Sequence, residues 1–292
     1  MTDVSERGSP VIRRSFLRKN PLVVFASSML AIIVLTALLA GLLAPHDPFS
    51  GNILDNLMPP ISTSYEGVPF LLGTDASGRD VLSVILFGAR ISLTVGIVSV
   101  VGAGIIGTTV GVTAGYFGGF VDEFLMRIVD VQLAFPFILL AIIVMFILGQ
   151  GFANVIIVLI VTTWPMYARI ARAEALRLRQ SDYILAGRMM GASGLRIIIR
   201  HLVPNAATPL IVIASAAVPQ MIVLEAALSF LGVGMPPNVP SWGGLLSAGR
   251  GYLSQAWWVA TFPGIAIMLT VFSINILGDW LRDRLDPSLA DR

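Results

Sequence analysis

The chain has 292 residues, 56% of them hydrophobic and only 12% charged, with a formal net charge of +2. A soluble domain carries about 25% charged residues, so this composition excludes a water-facing enzyme and points to a polytopic membrane protein. There is no cysteine, and the two histidines, His46 and His201, lie far apart in sequence, which excludes disulfides, thiolate chemistry and a zinc site built on several His or Cys ligands.

Residues 1–20 form a basic tail with Arg7, Arg13, Arg14, Arg18 and Lys19, expected to lie as an amphipathic segment on the inner leaflet. Residues 22–44 carry no charge. That run exceeds the roughly 7–15 residues of a signal-peptide core and suits a bilayer span of about 20. A retained first transmembrane helix is expected over 21–45, followed by an extracytoplasmic loop over 46–90. Further charge-free runs predict spans near 91–115, 125–148, 152–169, 205–230 and 257–277, with Gly149-Gln150-Gly151 dividing the third from the fourth. The core is thus placed at 91–281 and a C-terminal tail at 282–292.

Positive residues orient the spans. With the N-terminus inside, the cytoplasmic side receives five in the tail, Arg127, seven in the 169–201 segment, and Arg282, Arg284 and Arg292. That leaves Arg79, Arg90 and Arg250 outside, so both ends are expected in the cytoplasm. Gly107, Gly111 and Gly115, with Gly104 nearby, make a bare stripe that lets a neighbouring helix approach closely. Trp257, Trp258 and Trp280 read as interfacial anchors. Pro136, Pro165, Pro219 and Pro263 are expected to kink spans.

Catalytic patterns are missing. The single lysine, Lys19, sits in the basic tail and not behind a Gly-rich phosphate loop, so the chain does not hydrolyse ATP by that route. No Ser/His/Asp set is evident. A secondary transporter wants several ionisable groups near mid-membrane, and only Glu225 sits well inside a predicted span. Glu225 either hydrogen-bonds a loop or partner, or lines a translocation path.

The longest polar excursion of the second half runs over 169–201 and holds Arg169, Arg172, Arg177, Arg179, Arg188, Arg196 and Arg200. On topology alone these arginines mark a cytoplasmic loop. Its end, from Tyr183 through Leu185, Ala186, Gly187, Gly191-Ala192-Ser193 and Arg196 to Arg200-His201-Leu202-Val203-Pro204-Asn205, resembles the docking loop of membrane subunits of bacterial ABC importers. More narrowly, it is similar to the second permease subunit of the dipeptide/oligopeptide/nickel group. The segment Leu72-Gly73-Thr74-Asp75-Ala76-Ser77-Gly78-Arg79-Asp80, continuing through Gly88-Ala89-Arg90, matches the outer segment of that subunit. So do Leu224-Glu225-Ala226-Ala227-Leu228-Ser229-Phe230 with Pro240-Ser241-Trp242-Gly243, and the tail around Asp279-Trp280-Leu281-Arg282.

The resemblance implies an all-α, six-span, type I ABC importer permease forming half of a pore for di- or oligopeptides. Nickel, glutathione or an oligosaccharide is the alternative cargo, and a secondary transporter the more distant one. It implies a second homologous permease, two ATPase subunits that bind ATP and Mg, an extracytoplasmic solute-binding protein and membrane lipids as partners, with no nucleic acid and no cofactor in this chain. The location implied is the bacterial inner membrane.

The loop over 170–204 is expected to dock an ATPase through Asp182, Tyr183, Leu185, Ala186, Gly187, Gly191, Ala192, Ser193, Arg196, Arg200, His201 and Pro204. Two short helices, near 173–190 and 195–203, are expected to meet at Gly191 to Gly194. Where the family has glutamate this chain has Leu185, so either apolar contact carries docking or Glu174 or Asp182 supplies the charge. Asp75, Arg79, Asp80, Arg90, Glu225 and Trp242 are candidates for an outer loop or gate. A salt-bridged loop cap is the simpler reading of Asp75, Arg79 and Asp80.

Overall fold

The computed structural model describes residues 20–64 and 67–285. The basic tail before Asn20 and residues 286–292, with the readings placed on them, lie outside the described residues. Eleven α-helices follow in order among the described residues: α1 Pro21–Leu38, α2 Ala40–Leu43, α3 Val81–Phe117, α4 Gly119–Leu133, α5 Phe137–Leu148, α6 Phe152–Arg179, α7 Asp182–Met189, α8 Gly194–Ile197, α9 Val203–Phe230, α10 Trp242–Gly249 and α11 Trp258–Leu285. Between α2 and α3 a two-stranded antiparallel hairpin pairs β1 Ser62–Thr63 with β2 Pro69–Phe70.

Five of the described helices are long and apolar enough to cross a membrane, and the bent pair α4–α5 makes a sixth if taken as one span. The six runs expected from charge therefore reappear, with four revisions. First, the second helix starts at Val81, not near 91, because Asp80 caps it by accepting a hydrogen bond from the Ser83 amide at 3.0 Å. Ten residues read as loop thus belong to a 37-residue helix.

Second, the span expected over 125–148 is two helices bent by 91°. The break falls at Phe135-Pro136, since proline disfavours helical backbone in the residue before it and cannot donate to the ladder. Pro165, Pro219 and Pro263 sit inside α6, α9 and α11, which continue through them.

Third, α6 runs unbroken to Arg179, and the second short helix expected at 195–203 is not separate. Helix α8, a π-helical turn over Ile198–Leu202 and α9 join into one run from Gly194 to Phe230. Fourth, α11 continues to Leu285, so Arg282 and Arg284 lie in its last turn, where cations suit the helix dipole, and not in a tail.

Helices α3 and α6 form the spine. A Cβ added at Gly107 would press on the Trp164 carbonyl and Tyr167, at Gly111 on the Ala168 carbonyl and Ala171, and at Gly115 on Ala175 at 2.7 Å. The stripe seen in the sequence is therefore the seam between these helices. Gly104, with Tyr167 no nearer than 3.9 Å, stands at its looser edge. Against the spine, α9 buries Ala217, Met221 and Leu228 in a cluster with Val95, Val100, Val158 and Leu159. Helix α1 buries only Val23, Ala26 and Ala37 and leaves Leu22, Phe25, Ile32 and Leu35 exposed. In a bilayer such a surface costs nothing, because lipid tails are as apolar as leucine.

Candidate functional site

The bundle has two worked ends, one built from residues 46–80 and 235–258, the other from 169–205. At the second end, α7 is a knob tied to the spine by one buried side chain. Ile184 is 1% exposed and packs with Tyr116, Leu178, Ile197 and Leu202. Sequence reading missed Ile184, because it stands among Tyr183, Leu185 and Ala186 with nothing to mark it as the one turned inward. The knob closes at Gly191, whose φ of +78° is the left-handed conformation glycine adopts freely. The Ala192 amide donates to the Gly187 carbonyl and the Gly191 amide to the Arg188 carbonyl, both at 3.0 Å. This pair of bonds is a Schellman closure, with Ala192 returning to the apolar cluster.

On the outside of the knob, Tyr183 and Leu185 are about half exposed, and Met189, Met190, Leu195 and Ile199 are more so. Asp182, in the first turn of α7, and Ala186 are exposed. Ser193 sits just before α8, where its carbonyl accepts from the Ile197 amide at 3.1 Å. Pro204 is the second residue of α9, a position that needs no amide hydrogen where an ordinary helix begins. Here the preceding π turn occupies the start instead. His201 is half-buried, its ring 6.1 Å from that of Tyr183, and its carbonyl accepts from Asn205 Nδ2 at 2.6 Å.

Five of the seven arginines have a partner within the chain, though only Arg172 and Arg179 are half-buried and the rest are exposed. Arg169 pairs with Asp130 at 2.6 Å, Arg172 holds both oxygens of Asp122 at 2.5 and 2.6 Å, and Arg177 binds Glu174 at 2.8 Å. Arg179 donates to the Tyr116 carbonyl at 3.2 Å, closing the end of α3, and Arg188 stacks 4.7 Å above the Tyr116 ring. Arg196 and Arg200 are exposed on the run that leaves the knob. Glu174, engaged by Arg177, is not presented on α7, so of the two candidate charges Asp182 alone lies on the knob.

The other end is a cap sewn together by polar bonds. Asp75, 1% exposed, accepts from the Ser77 and Arg79 amides at 2.8 and 3.0 Å and from Arg79 Nε at 2.8 Å. Arg79 reaches on to the Pro237 carbonyl at 2.9 Å. Asp80 accepts from the Ser83 hydroxyl at 2.6 Å as well as from its amide. Arg90 is not a free outer charge, since it donates to the Ala37 and Leu38 carbonyls at 3.2 and 3.1 Å and closes α1 onto α3. Trp242 is buried and donates from Nε1 to the Ile85 carbonyl at 3.0 Å. Trp258, expected at a membrane interface, is buried too and donates to the Thr74 carbonyl at 3.1 Å, whereas Trp257 is half exposed.

Glu225 is completely enclosed between α3 and α9. Its carboxyl accepts from Ser92 Oγ at 3.2 Å and Ser229 Oγ at 2.9 Å, and Ser229 Oγ in turn accepts the Met235 amide at 3.1 Å. Of its two readings, the loop-anchoring one matches this geometry. No group of three or more His, Cys, Asp or Glu side chains among the described residues has an arrangement that could hold a metal.

Two cavities escaped the sequence reading. One, of about 950 Å³, lies between α6, α9 and α11 on the knob side and is lined by Asn205, Thr208, Asn275 and Asp279, with the Glu174–Arg177 pair. Its signal was the helical spacing of Asn205 with Thr208, and of Asn275 with Asp279, in otherwise apolar helices. The other, about 700 Å³, is an apolar groove between α3 and α9 floored by Gly104, Val112, Tyr167 and Leu210.

A glycine-seamed helical bundle with a projecting knob at one end and a hydrogen-bonded cap at the other describes a membrane transport subunit. Residues 107–291 match the family described as binding-protein-dependent transport system inner membrane component, and residues 12–60 match the N-terminal transmembrane domain of oligopeptide transport permease C. The chain belongs to this family of ABC importer permease subunits of the inner membrane, whose partners are a binding protein and an ATPase.

It is 42% identical over 261 residues to the di/tripeptide transport system permease protein of Pseudomonas aeruginosa, covering 89% of this chain and 86% of that one. It is also 42% identical over 276 residues to the glutathione transport system permease protein of Pectobacterium atrosepticum, covering 94% and 90%. The dipeptide transport system permease protein of Alkalihalophilus pseudofirmus is 39% identical over 273 residues, with 94% and 88% covered. A chain of the MetNI methionine ABC transporter in an inward-facing conformation shares the fold, with a TM-score of 0.57 at 22% identity, covering 70% of this chain and 96% of that one. The type I importer permease fold expected from the resemblance is therefore present.

Proposed function

We propose that this chain forms half of the translocation path of an ATP-driven importer of short peptides, with the N-terminus and the knob in the cytoplasm and the cap outside. A second, homologous permease completes the pore, and two ATPase subunits bind ATP and Mg and do the hydrolysis. The knob docks one of them. Its exposed Tyr183, Leu185, Met189 and Met190 supply apolar contact where the family's carboxylate is absent, with Asp182 beside them. The observation that carries the coupling role is the Gly191 closure. It fixes a single-helix projection directly between two spans, so a push on α7 is delivered to both α6 and α9. Movement of the docked element then alternates access to the pore, as rigid-body switching requires.

Peptide cargo rests on the names of the relatives, and the glutathione relative favours a second reading, a modified tripeptide. The test is ATPase activity of the complex reconstituted with its sister permease, ATPases and binding protein, across di-, tri- and longer peptides, glutathione and Ni²⁺. Stimulation by one peptide class supports the first reading. Stimulation by glutathione alone supports the second, and a response to Ni²⁺ alone removes both.

A further inference from the structure

We infer that the groove between α3 and α9 seats an acyl chain of an anionic phospholipid of the inner leaflet, whose phosphate is held by Arg196 and Arg200. The inference rests on the reading that the knob end of the bundle faces the cytoplasm. Helices α3 and α9 touch at Gly96, where an added Cβ would lie 2.9 Å from Ile222 and 3.5 Å from Val218. Toward the knob they part, and the groove of about 700 Å³ opens between them. Along α3 its lining runs from Val100 to Phe117, about 25 Å at 1.5 Å per residue. One leaflet with its headgroups is roughly 20–23 Å deep, so the groove has the depth of a single lipid. A membrane-spanning helix of another subunit would need a face that continues through the other leaflet, where α3 and α9 are closed on each other.

The lining residues define the chemistry of the occupant. None of them is charged. The Thr109 and Thr113 hydroxyls donate to the Ile105 and Thr109 carbonyls at 2.8 and 2.6 Å, so they are spent within α3. A peptide lying there would leave amides and charged termini unpaired, a cost that an acyl chain does not incur. At the mouth the chemistry changes. Leu195 and Ile199 wall it, and each is followed by an arginine, Arg196 and Arg200, four residues apart and so on one face of the run. Both are exposed, and neither has a hydrogen-bond or ion-pair partner among the described residues, unlike the other five arginines of the segment. Two unpaired guanidiniums beside an uncharged, apolar slot match a phosphate with a hydrocarbon tail.

The experiment uses the complex purified with its sister permease and ATPases in mild detergent. Phosphatidylglycerol or phosphatidylcholine is titrated in while Tm is followed, and lipid retained after delipidation is counted by native mass spectrometry. The wild type should be stabilised by phosphatidylglycerol at lower concentration than by phosphatidylcholine. Arg200→Gln should raise the half-effective phosphatidylglycerol concentration about fivefold, and adding Arg196→Gln should raise it again by a similar factor. Ala207→Trp fills the groove from α9 and leaves the knob untouched, and it should lose a retained lipid of either kind. If titration and retention are unchanged in Arg200→Gln and Ala207→Trp, the site is overturned. It is equally overturned if Ala207→Trp releases the sister permease, since the groove then holds a protein helix, or if a photoreactive dipeptide labels the groove in place of lipid. The chain has no cysteine, so Arg200→Cys tests the orientation separately. It should react with a membrane-impermeant maleimide only after cells are opened. Labelling from outside intact cells would overturn the cytoplasmic reading of this end, whereas lipid titrations that ignore the groove variants overturn the site alone, so the two failures are told apart.

Discussion

The cap and the knob solve the same problem, fixing a non-helical excursion at the end of a bundle, by opposite means. The cap is held by directional bonds to buried groups. Asp75 alone accepts three, and Trp242 and Trp258 each donate one to a backbone carbonyl. The knob is held by one Schellman closure, one buried isoleucine and the ring contacts of Arg188 with Tyr116 and Tyr183 with His201, while Met189 and Met190 stand more than four-fifths exposed. A surface meant to keep one shape collects charge-assisted bonds. On the proposed docking, the exposed Tyr183, Leu185, Met189 and Met190 are the side chains a partner would cover.

The largest effect expected from breaking this arrangement lies between the two ends. Gly111→Leu puts a branched side chain against the Ala168 carbonyl and Ala171, and should prevent α3 and α6 from mating. Recovery of monodisperse protein from membranes after detergent extraction measures it, and normal recovery would contradict the seam. Next in size is the cap. Asp75→Ala leaves Arg79 without its buried partner and should cost about 3–5 kcal/mol, read as a fall in Tm of the purified chain.

The knob should respond differently. Gly191→Trp forces a bulky residue to positive φ and should cost about 1–2 kcal/mol of stability, read as a modest fall in Tm, yet leave ATP hydrolysis running without uptake. Arg196→Glu should uncouple in the same sense with no loss of Tm. Proteoliposomes reporting hydrolysis and uptake together would show it, and tight coupling in both variants would remove the docking role. The smallest effect belongs to Asp130→Ala. Its pair with Arg169 is more than half exposed on both sides and is worth about 0–1 kcal/mol. A loss rivalling Asp75→Ala would mean that exposure is a poor guide here.

What the sequence made legible followed from composition and period. Charge-free runs located the spans, because a bilayer admits few alternatives. Gly107, Gly111 and Gly115 announced their own seam, and Gly191 announced a reversal. Helix ends were hidden wherever a polar residue serves the backbone and not water. Asp80 looked like loop and is a helix cap. Arg90 looked like an outer charge and closes α1, and Trp258 looked like an anchor and bonds Thr74. Two of the seven arginines were hidden in the same way, Arg172 holding Asp122 and Arg179 the end of α3.

The uninterrupted course of α6 from one end of the bundle to the knob has a mechanical meaning. At 1.5 Å per residue its 28 residues make a rod about 42 Å long. A tilt of about 5° about its middle would shift each tip of such a rod by about 2 Å, in opposite directions. The glycine seam ties α3 to that rod, so under the proposed alternation of access the closing of one mouth and the parting of the other would be a single motion.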